Sequence, residues 1–147
     1  GKGWEQAIRA FSHISEEVEE SAKCLDLDRP TASVSHSMRI LEIGLYALAD
    51  SLNVPFQSQN WNTVLEDIDT EIELRSGGKG KTPPPGWKGV VERFYRDAAV
   101  HYGNLRVAWR NNAQHANETY SGEQARRIHE HTKEFMEHIA MRLKEVP

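Results

Sequence analysis

The sequence contains a single cysteine, Cys24, among its 147 residues. One cysteine cannot form a disulfide within the chain, so nothing here calls for an oxidising compartment and we expect a cytoplasmic protein. The sequence also lacks any apolar run close to the roughly 20 residues that cross a bilayer. We therefore expect no membrane among its partners.

Motifs for metal and phosphate chemistry are missing as well. The sequence has no cysteine pair for zinc, no His-Glu-x-x-His pattern and no glycine-rich phosphate loop. A di-iron bundle would need Glu-x-x-His on two helices. None of the seven histidines has a glutamate three residues before it. We expect neither a metal ion nor another cofactor.

The composition is that of a folded protein with an uneven distribution of charge. Hydrophobic residues make up 38% of the chain and charged residues 27%, and the length fits one domain spanning residues 1–147. The net charge is −4, yet residues 79–127 carry 9 Lys or Arg against 4 Asp or Glu, whereas residues 1–78 carry 6 against 14. A basic surface in the second half would suit a polyanion.

Apolar residues recur every three or four positions in five segments, which is the periodicity of amphipathic helices. The segments run from Trp4 to Leu25, Val34 to Leu52, Trp61 to Ile72, Val91 to Ala108 and Ile128 to Leu143. Pro30 suits the first turn of the second helix, Asn60 can cap the third, and Ser121 with Gln124 has the form of a capping box. We predict an all-α fold, an antiparallel helical bundle of four long helices plus one shorter helix.

The segment of residues 75–89 is rich in glycine and proline, which break both helices and strands. We predict a flexible, exposed loop here. Its three lysines, Lys79, Lys81 and Lys88, could form a basic flap over a bound polyanion, or the loop could be a simple connector.

Four segments of the chain place a histidine five to seven residues after an arginine. They are Arg29 with His36, Arg96 with His101, Arg110 with His115 and Arg126 with His131. Positions five apart on a regular helix point about 140° away from each other, so a pair inside a helix cannot share a site. The second and fourth pairs fall in predicted helices, and His101 fits a core histidine. Only Arg110 and His115 lie where a predicted helix meets a polar connection.

The segment from Arg110 to His115 resembles the motif of the HEPN family, small all-α proteins whose ribonuclease members carry an arginine, four to six residues and a histidine. A polar residue often follows that arginine, and Asn111 has this place here. The likeness to the helical framework of a bacterial branch extends to residues 37–42, 94–110 and 135–143. Trp109, directly before the arginine, adds to a resemblance that covers most of the chain.

The resemblance implies a metal-independent RNA endonuclease. The ribose 2′-hydroxyl attacks the neighbouring phosphate, so protons must move and the phosphate charge must be stabilised. His115 suits the first task because histidine titrates near neutrality. Arg110 suits the second because its planar guanidinium can hold two phosphate oxygens. Asn111 could orient His115 or the phosphate, and the implied products are a 2′,3′-cyclic phosphate and a 5′-hydroxyl.

The resemblance also implies a homodimer, because family members pair two motifs across a two-fold axis to form a composite Arg/His site. Such a dimer could bury Trp109. Arg106, one turn before Arg110, and Arg126 could hold the RNA backbone, although a solvated surface arginine is the simpler interpretation of each.

Several points remain open at this stage. The nuclease could be a toxin or a phage-defence effector that a partner or antitoxin protein restrains. The alternative function is a non-catalytic HEPN-like adaptor that binds a partner protein or a nucleotide. A subset of the family has a modifiable tyrosine two residues after the histidine, but Asn117 has that place here, so such regulation is not expected. Arg39 and Glu42 could pair behind the site.

Overall fold

The computed structural model describes the backbone of residues 3–114 and 119–147 and the side chains of residues 3–110 and 119–147. Within these ranges the regular structure is helical, without strands. The α-helices of the described chain are α1 (Glu5–Ala10), α2 (Ser15–Asp26), α3 (Pro30–Ser51), α4 (Trp61–Arg75), α5 (Val90–Gln114) and α6 (Gly122–Ile139). None of these helices combines the length and apolar character needed to cross a bilayer. The predicted all-α fold is confirmed.

Three pairs of consecutive helices, α2 with α3, α4 with α5 and α5 with α6, pack antiparallel, because early residues of one helix lie beside late residues of the next. The pairs that define this are Glu17 with His36 and Ser21 with Ser33 for α2 and α3, Glu73 with Arg96 and Trp61 with Trp109 for α4 and α5, and Phe94 with His138 and Ala108 with Tyr120 for α5 and α6. Buried apolar residues from all of these helices form one cluster. The chain is thus the antiparallel bundle that the periodicity predicts.

The first predicted helix is divided in two, which corrects the expectation of one helix from Trp4 to Leu25. At Phe11 the backbone leaves the helical region (φ −129°, ψ 73°), and a 3-10 turn, Ser12–Ile14, leads into α2. The Ala10 carbonyl, which the break leaves free, accepts a hydrogen bond from the Glu145 N–H at 3.0 Å. The segment after α6 therefore packs against the junction between α1 and α2.

The second long amphipathic segment forms α3, which packs against both α2 and α6. Pro30 is its first residue, as predicted. The predicted apolar stripe is buried, and so are Ile40, Ala47 and Ala49 on the other sides of the helix. Gly44 lets α3 approach α6 closely, since a Cβ at this position would collide with Met136. This residue therefore sets the spacing between the two helices.

The loop between α4 and α5 is anchored by a tryptophan, which corrects the expectation of a wholly exposed segment. Trp87 is 3% exposed, and its Nε1–H donates to Ser76 Oγ at 3.0 Å. Its indole stacks on Tyr95 with ring centroids 5.1 Å apart, and the Arg75 guanidinium carbon lies over the Trp87 ring, 5.7 Å from its centroid. The glycine and proline residues around it remain largely at the surface. A buried aromatic side chain thus fixes a loop whose composition alone suggests freedom.

Candidate functional site

Three helix starts and the end of α5 meet at one end of the bundle, which we call the motif end. Thr31, at the start of α3, accepts a hydrogen bond at Oγ1 from the Tyr120 N–H at 3.1 Å. The Tyr120 hydroxyl donates to the Ala108 carbonyl at 3.3 Å, which places the start of α6 beside the last turns of α5. The start of α4 joins them because Trp61 stacks on Trp109, with centroids 5.4 Å apart. The predicted Arg/His motif follows directly on Trp109.

The predicted catalytic arginine, Arg110, is exposed on α5, one turn before that helix ends at Gln114. The helix continues beyond its apolar stripe, so Arg110 belongs to the helix and not to the connection. Asn111 follows on the same helix, but its side chain lies outside the described residues, as does the whole of His115. The composite Arg/His site therefore stays a prediction, and Arg110 is the member whose placement is described.

Arg106 lies one turn before Arg110 and is half-buried, which differs from the solvated side chain that the sequence favours. Its Nη2 donates to Asn62 Oδ1, in the first turn of α4, at 3.4 Å. Its Nε is buried without a hydrogen-bond acceptor among the described residues. An unsatisfied buried donor of this kind costs free energy.

Arg126, the other predicted RNA contact, is exposed early in α6. The predicted capping box precedes it: Ser121 Oγ accepts from the Gln124 N–H at 3.1 Å, and the Gln124 side chain accepts from the Ser121 N–H at 2.8 Å. The structure thus leaves Arg126 as a surface cation close to the motif end.

A groove at the motif end lies between α3, the start of α4 and the end of α5, and the sequence did not predict it. It holds about 320 Å³ and is lined by Ser35, Met38, Arg39, Glu42, Ser58, Trp61 and Trp109. Trp61 is 4% exposed, whereas Trp109 is half-buried, and the two indoles lie 12° from parallel. The indole N–H of Trp61 is a second buried donor without an acceptor among the described residues. Aromatic and charged side chains therefore meet in one concavity, which we call the tryptophan groove.

The expected pair of Arg39 and Glu42 is not formed. Arg39 Nη1 instead lies 3.7 Å from Glu17 Oε2 and 3.3 Å from His36 Nδ1. Glu17 comes from α2 and already contacts His36, so the arginine turns toward that helix. Glu42 remains in the wall of the tryptophan groove, where burial raises the pKa of its carboxyl group.

The lysines of the loop before α5 lie far from the motif end. Because α4 and α5 are antiparallel, the loop that joins them lies at the opposite end of the bundle. Val90 and Arg110 are separated by roughly 30 Å along α5, at about 1.5 Å per residue. Lys79, Lys81 and Lys88 therefore cannot cover Arg110 within one protomer, and the connector interpretation fits the loop.

The basic residues of the second half do not form one surface either. Arg96 Nη1 lies 2.8 Å from a carboxylate oxygen of Glu73, and its Nε lies 3.0 Å from one of Glu92. Arg127 similarly pairs with Glu123 at 3.0 Å. The excess of positive charge that the sequence shows is thus partly neutralised by carboxylates from neighbouring turns and helices.

His101 belongs to a histidine cluster between α5 and α6, remote from the motif end. Its ring centroid lies 5.0 Å from that of His138, which stacks on Phe94 and contacts the Phe94 carbonyl through Nε2 at 2.9 Å. Burial lowers the pKa of His101, and the nearby His138 lowers it further. The ring is half-buried between the two helices, so His101 is not the fully buried core histidine that the sequence predicts.

A second histidine, His129, belongs to a buried polar network that the sequence did not predict. Ser21 Oγ lies 2.9 Å from His129 Nδ1 and within hydrogen-bond distance of the Ser33 and Ser37 hydroxyl groups. All three serines are fully buried, so a substrate cannot reach the Ser21 hydroxyl. The network therefore joins α2, α3 and α6 and does not form a nucleophilic site.

Comparison with family models, with curated proteins and with solved structures finds no match to this chain. The candidate site therefore stands on its own residues. Among the described side chains, no cluster of three His, Cys, Asp or Glu residues could hold a metal ion.

Proposed function

We propose that the chain is a HEPN-like, metal-independent RNA endonuclease that works as a homodimer and cuts RNA at the motif end. The observation that carries the proposal is the exposed Arg110 near the end of α5, five residues before His115, beside the half-buried Arg106 and the paired Trp61 and Trp109. Cations that hold phosphates and flat aromatic surfaces that hold bases are the elements with which proteins bind single-stranded RNA.

The reaction needs one proton carrier and one charge-stabilising group. In the proposed mechanism His115 takes the proton of the ribose 2′-hydroxyl, and the oxygen attacks the adjacent phosphorus. The bond to the 5′-oxygen breaks, a proton is returned to that oxygen, and a 2′,3′-cyclic phosphate remains. Arg110 holds the phosphate oxygens while negative charge builds up on them, and Asn111 orients the phosphate or the imidazole.

A second copy would complete the site by supplying a further arginine and histidine. The outer face of α5 exposes Val100 and Val107, at 66% and 61%. Val107 precedes Arg110 by three residues, so both lie on the same side of the helix. An apolar surface next to a functional arginine suits an isologous contact, in which each Arg110 lies near the two-fold axis.

A toxin or defence effector, restrained by a partner protein, is the role that we propose for such an enzyme.

The test is cleavage of single-stranded RNA in EDTA, with analysis of the ends produced. We expect the unaltered protein to leave 2′,3′-cyclic phosphates, and Arg110→Ala and His115→Ala each to lose at least about a hundredfold in rate, the usual scale for a general acid–base or charge-stabilising group. Arg93→Ala is the matched control, because Arg93 is exposed on the same helix, roughly 25 Å from Arg110.

Three outcomes would contradict the proposal: cleavage that requires added magnesium, cleavage that survives His115→Ala, or equal losses in Arg110→Ala and Arg93→Ala. RNA or partner binding without any cleavage would instead support the non-catalytic adaptor.

A further inference from the structure

The tryptophan groove has the dimensions and chemistry of a site for one flat polar ring. Its volume of about 320 Å³ is at the small end of the range for ligand sites, which suits a base and not a large cofactor. Trp109, half-buried in its wall, offers indole surface of the kind on which bases stack. Arg110 is the residue after Trp109 on α5, so a phosphate that Arg110 holds would lie within a nucleotide or two of a base bound in the groove.

The charged residues of the groove distinguish among the four bases. When it is ionised, the Glu42 carboxylate accepts hydrogen bonds and donates none. Burial in the groove disfavours its negative charge, so hydrogen-bond donors from a ligand would stabilise the ionised form. Guanine carries two adjacent donors, at N1 and N2, that match the two oxygens of a carboxylate. Adenine and cytosine present one amino group beside an acceptor, and uracil presents one N–H between two carbonyls. Guanine therefore fits Glu42 best.

Arg39 can complete the recognition from the other edge of the ring. It precedes Glu42 by three residues on α3, which places the two side chains about 5–6 Å apart at Cβ. Its side chain is 60% exposed, and its Nη1 makes only surface contacts, 3.7 Å from Glu17 Oε2 and 3.3 Å from His36 Nδ1. Arginine commonly donates to O6 and N7 of guanine, which makes Arg39 the donor for that edge.

We propose that the tryptophan groove is a guanine-binding subsite of the RNA substrate. Trp109 stacks on the base, Glu42 accepts hydrogen bonds from N1–H and N2–H, and Arg39 donates to O6 and N7. The inference rests on the proposed function for the assignment of RNA as the ligand, and it adds a preference for guanine near the cleaved phosphate.

The experiment uses 2′-O-methyl RNA pentamers, which cannot undergo attack by a 2′-hydroxyl. Each probe has uridine analogues around a central G, A, C or U and a fluorescent label, and anisotropy gives its affinity. We expect the G probe to bind at least about tenfold more tightly than the others, the discrimination that one good bidentate contact provides. Glu42→Gln should abolish this preference, because the amide presents one acceptor and one donor pair.

Matched variants separate recognition from general damage. Glu16→Gln makes the same change at an exposed position of α2 and should leave all four affinities unaltered. Trp109→Leu should weaken all four probes, and Trp109→Phe should restore them. Equal binding of the four probes, no binding, or a G preference that survives Glu42→Gln would overturn the inference. If a variant fails to fold, the relative affinities of the unaltered protein for the four probes still test the proposed guanine preference. These probes are not cleaved, so the absence of a guanine preference would not count against EDTA-resistant cleavage. Conversely, a protein that does not cleave RNA could still show the guanine preference in this binding assay.

Discussion

The same substitution at two helical glycines should change stability in opposite directions. Gly44 lies inside α3 against α6, where a Cβ would lie 3.0 Å from Ile139 Cδ1 and closer still to Met136 Sδ. Both neighbours are fully buried, so neither side chain can swing into solvent. Gly103 lies inside α5, and a Cβ there would meet nothing within 4 Å. Gly44→Ala therefore adds a clash, whereas Gly103→Ala only improves helix propensity.

The magnitudes follow from these two terms. Replacing glycine with alanine in a helix gains about 1 kcal/mol, while overpacking a core costs about 1–3 kcal/mol. We expect Gly103→Ala to raise the free energy of unfolding by about 1 kcal/mol, and Gly44→Ala, where the clash offsets that gain, to lower it by up to about 2 kcal/mol. Urea unfolding followed by far-UV circular dichroism, at one protein concentration, measures both. A Gly44→Ala protein stabilised as much as Gly103→Ala would refute the close packing of α3 on α6.

Further predictions concern the loop, the cap and the buried histidine. Trp87→Ala should lower the free energy of unfolding by about 3–5 kcal/mol, because it removes the buried anchor of the loop before α5. Ser121→Ala should cost about 1 kcal/mol through loss of the α6 cap, and Ser121→Asn should restore most of it. Burial lowers the pKa of His129, so the unfolded state binds its proton more readily. The free energy of unfolding should therefore fall as the pH drops below about 6.5, and His129→Gln should reduce that dependence in urea titrations at several pH values.

The parts of the fold that depend on local chemistry could be predicted from the sequence. Pro30, Asn60 and Ser121 mark helix starts through interactions within one turn, and all three mark them correctly. The break at Phe11 could not be predicted, because no glycine or proline signals it and its freed carbonyl is satisfied by Glu145, far along the chain. Long-range contacts of this kind leave no local pattern.

The candidate site also has features that the sequence indicates and features that it could not predict. The choice of Arg110 among four arginine–histidine pairs stays a prediction, and its position within α5 could not be predicted, because the helix continues past the apolar stripe to Gln114. The stack of Trp61 on Trp109 and the bond from Arg106 to Asn62 depend on the register between antiparallel α4 and α5. Periodicity predicts which face of each helix is apolar, but it does not specify that register.

The most direct test of the proposed chemistry is a single deoxyribose substitution. An RNA and a matched chimera, which carries deoxyribose only at the nucleotide that provides the attacking 2′-hydroxyl, are incubated with the protein in EDTA. We predict that the RNA is cut to leave a 2′,3′-cyclic phosphate, whereas the chimera stays intact at that bond. Equal cleavage of both molecules, or cleavage of either only after magnesium is added, would contradict the account.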